Sequence, residues 1–367
     1  MSPPAAPEKR TPSPLRVAYD VEAAAVLTRH NPRHPYAPDL ERLKQNSDAF
    51  PLAEALTRAG RPATPLALGA NALEALQALT RERPPLVFNL CDTLGGEGAP
   101  ALLVPTVLDA LGIPYTGADA RGLALTKSKH ALKALLASEG IPTPRFQCIH
   151  DTAGAESFSL ALEPPVVLKP CGEHASIGLE AASVAWDDAE VRARAHYLLG
   201  RFGGPVLVEE YVGGREFYVS VAGHPLRALP IMEQTFVDLP EGYLRMRTFD
   251  AKWFTQPGLS GDAPLLARDE RWRRPVPTRQ PASPWRRHET VEELCVRAFR
   301  LVGGRDWGRV EFRLDAGGVP LLIDLTPNSY LAPSAPCVLA AKEAGMSYEG
   351  FLTLIAEGAL ARGPTGS

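Results

Sequence analysis

Cysteine is scarce in this chain, and none of it is paired. Five residues in 367, at positions 91, 148, 171, 295 and 337, are scattered with no Cys-x-x-Cys motif. That spacing argues against a disulfide framework or a ribbon-type zinc site, and fits reduced thiols in a cytoplasmic protein. Long apolar runs are also missing. None approaches the roughly 20 residues that span a bilayer, so no membrane association is expected. A strong net charge is absent too. At −3 the chain has no global basic field to attract nucleic acid or an anionic membrane. Neither of the two commonest phosphate-binding fingerprints, GxxxxGK[ST] and GxGxxG, occurs. Internal repeats are lacking. Residues 1–14 are rich in proline, without the apolar centre of a signal peptide, and read as a disordered tail.

What remains is ordinary globular composition, 45% apolar and 22% charged, in a length that suits two or three domains. The local pattern is α/β. Leu15–Tyr19 reads as a strand, residues 40–60 and 70–83 as helices, and Leu86–Leu90 as a strand entering the loop Gly95-Gly-Glu97-Gly98. A helix through Ala110 and a short strand at Ile113–Gly117 follow. Strands alternating with helices predict a parallel, doubly wound first domain over 15–127. Lys127–Gly140 reads as a helix ended by its glycine. Strands at Val166–Lys169 and Val206–Glu209 bracket an α+β unit over 128–208. A third unit fills 209–367 and begins with Phe217–Met232. Residues 268–287, rich in Arg, Pro and Trp and without a period, read as a surface loop.

The most informative stretch is Arg309-Val-Glu311 through Asp324-Leu-Thr326-Pro-Asn328. Both arms alternate polar with apolar residues around the turn Asp315-Ala-Gly-Gly, the signature of a half-buried hairpin. Counting outward from the turn puts Arg309 roughly opposite Asp324, with Glu311 a diagonal neighbour on the same face. Two carboxylates so close need positive charge between them. Mg²⁺ bridging phosphate oxygens would supply it, although a solvated polar face would show the same pattern. Elsewhere, Lys129 begins a helix and Lys169 ends an apolar strand, where an ammonium can meet phosphates or simply solvent. Cys171-Gly-Glu173-His-Ala-Ser176-Ile-Gly178 can offer N–H groups and a hydroxyl to anionic oxygens. Glu209-Glu210-Tyr-Val212 and Glu216 form a strand end and glycine turn that could bracket an adenine and a ribose, or be a charged hairpin turn.

Taken in order, these blocks resemble the ATP-grasp superfamily, and within it the D-alanine–D-alanine ligase-like group. The likeness covers nearly all of residues 86–355 through Gly95-Gly-Glu97-Gly, Leu111 to Gly117, Ser128-Lys129, Ala137 to Pro142, Leu168-Lys169-Pro170, Ser176-Ile-Gly178, Glu209 to Glu216, Ala251-Lys252-Trp253, Trp307 to Glu311 and Ala344 to Ser347. It implies a Rossmann-like N-terminal domain followed by two α+β domains that clamp ATP. It implies that Lys129, Lys169, Glu173 and Ser176 meet phosphates, that Glu209, Glu210, Val212 and Ile323 surround adenine, and that Glu216 holds the ribose. It implies Mg²⁺ on Glu311 and Asp324, with Thr326 or Asn328 as a further ligand. Arg309, Lys252, Ser176 and Glu97 fall at catalytic positions. The reaction implied joins a small-molecule carboxylate, such as an amino acid, to an amine. ATP first converts the carboxylate to an acyl phosphate, a step helped mainly by positioning and electrostatics. Arg309 faces the carbonyl oxygen as charge builds there, and a lid keeps water from the intermediate. Relatives commonly form homodimers.

Several positions depart from the group. Thr326 stands where asparagine is usual, Glu-His174-Ala175-Ser where Gly-Ser-Ser is usual, Trp253 where tyrosine is common, and Tyr330 where a glycine is usual. The lid segment carries an insertion within 255–290. The group's N-terminal glycine loop with its glutamate has no clear counterpart. These positions would hold small D-alanines, so a different substrate pair is expected. D-alanine–D-alanine ligation itself, or an ATP-binding module without catalysis, are the competing expectations.

Overall fold

The computed structural model describes residues 13–23, 48–69, 71–236, 245–249, 271–273 and 289–363. The tail, Lys252, Trp253 and most of the Arg-rich stretch lie outside them.

Three sheets are present among the described residues. The first is parallel, ordered β2-β1-β3, from β1 (Leu15–Asp20), β2 (Ala63–Leu68) and β3 (Val87–Asn89). Its faces are covered by helices, as parallel sheets require. Ala18 and Val87 point into a core with α2 (Ala72–Glu82) and α3 (Leu103–Leu111). Val17 and Phe88 point the other way, into a core with α1 (Ala49–Arg58) and two C-terminal helices named below. The helix expected over 40–60 is α1, with residues 40–47 outside the described part. Strand β2 carries no clear strand signal in the sequence, because Pro65 interrupts its pattern; proline is tolerated there at the edge of the described sheet. The strand expected at Ile113–Gly117 is reduced to one bridge, Val87 to Tyr115.

After α4 (Ala120–Thr126) and α5 (Lys129–Ser138), a second sheet runs β4-β7-β5-β6, all antiparallel. It comprises β4 (Phe146–Ile149), β5 (Val166–Pro170), β6 (Val184–Ala185) and β7 (Val206–Glu210). The short α6 (Thr152–Glu156) and the long α7 (Asp188–Phe202) pack on it, α6 through Ala155 and α7 through Val191, Ala195 and Leu198. Asp187 caps α7 by accepting from Glu190 N–H.

The third sheet is antiparallel, ordered β11-β10-β8-β12-β13, with β9 (Arg227–Ala228) beside β8 (Glu216–Ala222). Strand β11 (Arg271–Arg273) pairs with β10 (Met232–Thr235), so part of the stretch expected to be a structureless loop is an edge strand. A capping box of Thr290 and Glu293 starts α8 (Val291–Leu301), which covers the sheet with Leu132 and Leu136 of α5. Strands β12 (Trp307–Leu314) and β13 (Pro320–Pro327) form the expected hairpin.

The register of that hairpin corrects the expectation. Near the turn Phe312 pairs with Leu322, but farther out Glu311 pairs with Asp324 and Arg309 with Thr326. Ile323 is the extra residue of a bulge. Glu311 and Asp324 are therefore direct partners, not diagonal ones. The bulge also puts the neighbours Ile323 and Asp324 on the same wall, where strict alternation would turn one of them into the core.

Helices α9 (Pro336–Glu343) and α10 (Tyr348–Arg362) pack back onto the first sheet. Trp307 is fully buried between these layers, 5.6 Å from the Phe88 ring, and its indole N–H donates to Ser329 O at 2.7 Å. Asp306 Oδ2 accepts from Gly117 N–H and from Arg362, both at 2.7 Å. One carboxylate thus ties the first sheet's exit loop to the last helix and to β12.

Candidate active site

A cavity of about 330 Å³ lies between the second and third sheets, with the loop 173–177 along one side. Of the residues expected at the site, it brings together Lys129, Lys169, Glu173, Ser176, Glu209, Glu210, Val212, Glu216, Arg309, Glu311, Ile323, Asp324, Thr326 and Asn328. Glu97 is not among its lining residues. It sits exposed on the turn after β3, where Gly95 and Gly96 N–H groups donate to Asp20 at 3.2 and 2.9 Å. Lys252 lies outside the described residues.

The phosphate-binding candidates are held from behind by residues that lie outside the sequence motifs. Lys169 leaves β5 diagonally across from Glu209 on β7 and forms an ion pair with it. Lys133, on α5, reaches the other oxygen of Glu209 at 2.8 Å. Both Glu209 and Lys133 are almost wholly buried. Burial alone would raise the Glu209 pKa, but the two ammonium groups hold it below the ordinary value. The same burial lowers the pKa of Lys133, while Glu209 keeps that of Lys169 raised. Lys133 also donates to Thr143 Oγ1 at 2.8 Å, which donates in turn to Leu322 O at 2.8 Å. The chain of bonds runs from the second sheet to the backbone of the bulge. Lys129, buried at the start of α5, donates to Glu173 O and so holds the loop.

That loop is strained. Ala175 and Ser176 both have left-handed backbones, φ 57° and 62°. Left-handed geometry costs a side-chain-bearing residue roughly 1–2 kcal/mol. Ser176 Oγ donates to Arg247 O at 2.9 Å. His174 has its pKa pushed down to about 4 by burial and by Lys129.

On the opposite wall, positions 309, 311 and 313 of β12 share one face. Arg309 Nε donates to Glu311 Oε1 at 2.9 Å, and its guanidinium lies over the Tyr218 ring. Arg313 pairs with Glu216 through Nε at 2.8 Å and donates to Val212 O at 2.8 Å. Tyr218 OH donates to the other Glu216 oxygen at 2.7 Å. Arg313 was legible, since it is the next residue of the same period. Glu210 accepts from Arg145 Nε at 2.7 Å near the rim.

The acidic end offers only hard oxygen. Glu311 and Asp324 face each other across the hairpin, with the Thr326 hydroxyl beside them. Burial would raise the Asp324 pKa, but Lys129, His174, Lys169 and the Leu325 N–H hold it low. Two carboxylates and a hydroxyl suit a hard divalent cation next to phosphates. Asn328 is placed differently. Its Oδ1 accepts from Ala118 N–H at 2.8 Å, tying the cavity floor to the loop before α4. Gly117 permits this, because at φ 89° a Cβ there would lie 2.1 Å from Asn328 Oδ1.

No protein-family model matches the chain. It is 31% identical over 274 residues to a D-alanine–D-alanine ligase of Marinobacter nauticus, covering 74% of each chain. It is 29% identical over 300 residues to that of Bordetella avium, covering 80% of this chain and 83% of the relative. The crystal structure of the Bacillus anthracis D-alanine–D-alanine ligase complexed with ATP superposes with a TM-score of 0.63. That match is at 16% identity and covers 95% of this chain and 98% of the other, a likeness of fold. With the ATP-grasp architecture and this sequence relationship together, the chain belongs to the D-alanine–D-alanine ligase family of ATP-dependent carboxylate–amine ligases.

Proposed function

We propose that this ligase couples an amino acid or similar small carboxylate to an amine other than a second D-alanine, through an acyl phosphate. The observation that carries the reading is convergence. Lys129, Lys169, Arg309 and the opposed Glu311–Asp324 pair line one cavity. ATP and a carboxylate are both anions, and bringing them together needs this concentration of positive charge.

In this reading Lys129 and Lys169 hold the phosphates, Lys169 being aimed by Glu209 and Lys133. Ile323 and the β7 strand end flank the adenine. Glu216, fixed by Arg313 and Tyr218, faces the ribose. Glu311, Asp324 and Thr326 would hold Mg²⁺, Thr326 being preferred because Asn328 Oδ1 is engaged with Ala118. When bound, that ion neutralises charge on the transferring phosphoryl group. Arg309 then steadies the carbonyl oxygen as the amine attacks. His174, Ala175 and Tyr330 depart from the family among the residues that line the cavity, and they support a substrate pair other than D-alanine. In this reading the chain acts on small molecules in the cytoplasm. Among the described residues no helix is long and apolar enough to cross a membrane.

The test is phosphate release over a matrix of amino acids and amines, with mass spectrometry for a product joined by loss of water. The expected result is ADP, phosphate and a condensed product with a pair other than two D-alanines. Efficient D-alanyl-D-alanine synthesis would overturn the substrate reading, and ATP binding without turnover for any pair would overturn the catalytic one.

A further inference from the structure

Among the described residues, one cluster of metal-ligating side chains lies outside the nucleotide cavity and is unused by this chemistry. His130, Cys148 and Cys171 come from the first turn of α5, from β4 and from the end of β5, and the chain gives no hint of their meeting. Their ligand atoms, two sulfurs and an imidazole nitrogen, all lie within 4.8 Å of one another. None of the three lines the nucleotide cavity. A tetrahedral zinc ion with Zn–S of about 2.3 Å and Zn–N of about 2.0–2.1 Å would need spacings of roughly 3.5–3.8 Å. Cys148 and His130 are only half-buried, so rotation of their side chains can close that difference. A second imidazole stands close by. The exposed His150 ring packs edge-on against His130, 5.9 Å between centroids. Ser128 Oγ lies 3.3 Å from His130 Nδ1, the kind of outer partner that orients a ligating imidazole.

We propose that His130, Cys148 and Cys171, with His150 completing the shell, form a binding site for a thiophilic divalent cation, Zn²⁺ in the first instance. Two thiolates with imidazole select such an ion over Mg²⁺, which prefers oxygen. Binding releases the two thiol protons to solvent and leaves both sulfurs ligated without any change of oxidation state. The site would join three elements that meet behind the lid. Lys129 N–H already donates to Cys171 O at 3.2 Å, and the Lys129 side chain reaches Glu173 O two residues farther on. A cation here would therefore fasten the start of α5 to the root of the loop that borders the phosphates.

The test uses the full chain, reduced and kept free of air, and titrated with Co²⁺ as a spectroscopic substitute for Zn²⁺. One equivalent should produce thiolate-to-cobalt charge-transfer absorption and tetrahedral cobalt bands, and one equivalent of Zn²⁺ should abolish them. Cys148→Ser and Cys171→Ser should each weaken the charge-transfer band and lower affinity at least ~10-fold. His130→Gln should lower affinity while keeping the thiolate band. Melting curves of the metal-free variants establish that they are folded. Because Cys171 is buried, the half-buried Cys148 is the decisive variant if Cys171→Ser fails to fold. Absence of charge-transfer absorption would overturn the proposal. So would a band unchanged in Cys148→Ser, displacement of cobalt by Mg·ATP, or a Cys148–Cys171 disulfide in protein prepared under reducing conditions.

Discussion

Glu209 is a buried carboxylate shared by two ammonium groups, and its arrangement decides how the neighbouring residues respond to change. Removing Lys133 leaves Glu209 paired with Lys169 alone and one of its buried oxygens without its ammonium donor, at a cost of about 1–3 kcal/mol. Lys133→Met should therefore lower the free energy of urea unfolding by roughly that amount, although Lys133 does not line the cavity. The exposed pair Arg58–Glu349 gives the contrast, since its loss should cost about 0–1 kcal/mol. His174 gives the molecule a pH dependence of known sign. Its folded pKa of about 4 lies below its ordinary value near 6.5. The folded state thus binds that proton less readily than the unfolded chain. The associated stability is complete above about pH 6.5 and is lost as pH falls towards 4. His174→Gln should flatten this part of the stability–pH curve, by on the order of 1–2 kcal/mol once solvent screening is allowed for. An unchanged curve would show that His174 is not the titrating group.

In the proposed function, the bulge in the β12–β13 hairpin separates two roles that adjoin in sequence. Ile323 and Asp324 sit on one wall, the first apolar and the second a charge. Ile323→Ala should weaken ATP binding about tenfold at every Mg²⁺ concentration, through lost apolar contact. Glu311→Gln and Asp324→Asn should instead raise the Mg²⁺ concentration needed for ATP binding, at least ~10-fold each. Calorimetric titration at several Mg²⁺ concentrations distinguishes the two effects, and parallel behaviour of all three variants would contradict the assignment. The same hairpin shows what was legible in the chain. Two-residue alternation marked Arg309, Glu311, Asp324 and Thr326 as one face, and the turn residues marked its end. The bulge left no mark, because a single inserted residue does not change composition. Strand β2 was hidden by Pro65. Lys133 was hidden for a different reason: its partner Glu209 lies 76 residues away, and only the tertiary approach of α5 to the end of β7 joins them.

At the scale of the whole molecule, the cavity depends on contacts between layers. Asp306 joins Gly117 to Arg362, and Asn328 reaches Ala118 across the same seam. Gly117→Ala would adopt a left-handed backbone and push a methyl group into Asn328. It should lower the melting temperature by several degrees, corresponding to about 1–3 kcal/mol. An unchanged melting temperature would show that this seam yields easily. The central claim for the whole molecule is that the cavity activates a carboxylate by phosphorylation. The most direct measurement uses the substrate pair found by the phosphate screen, with heavy oxygen in both positions of the carboxylate. Attack of that carboxylate on the γ-phosphorus, followed by displacement by the amine, must leave one carboxylate oxygen on the released phosphate. The account predicts one heavy oxygen per phosphate in step with amide product, and neither product from Lys169→Ala. Amide formed alongside phosphate that carries no label would contradict it.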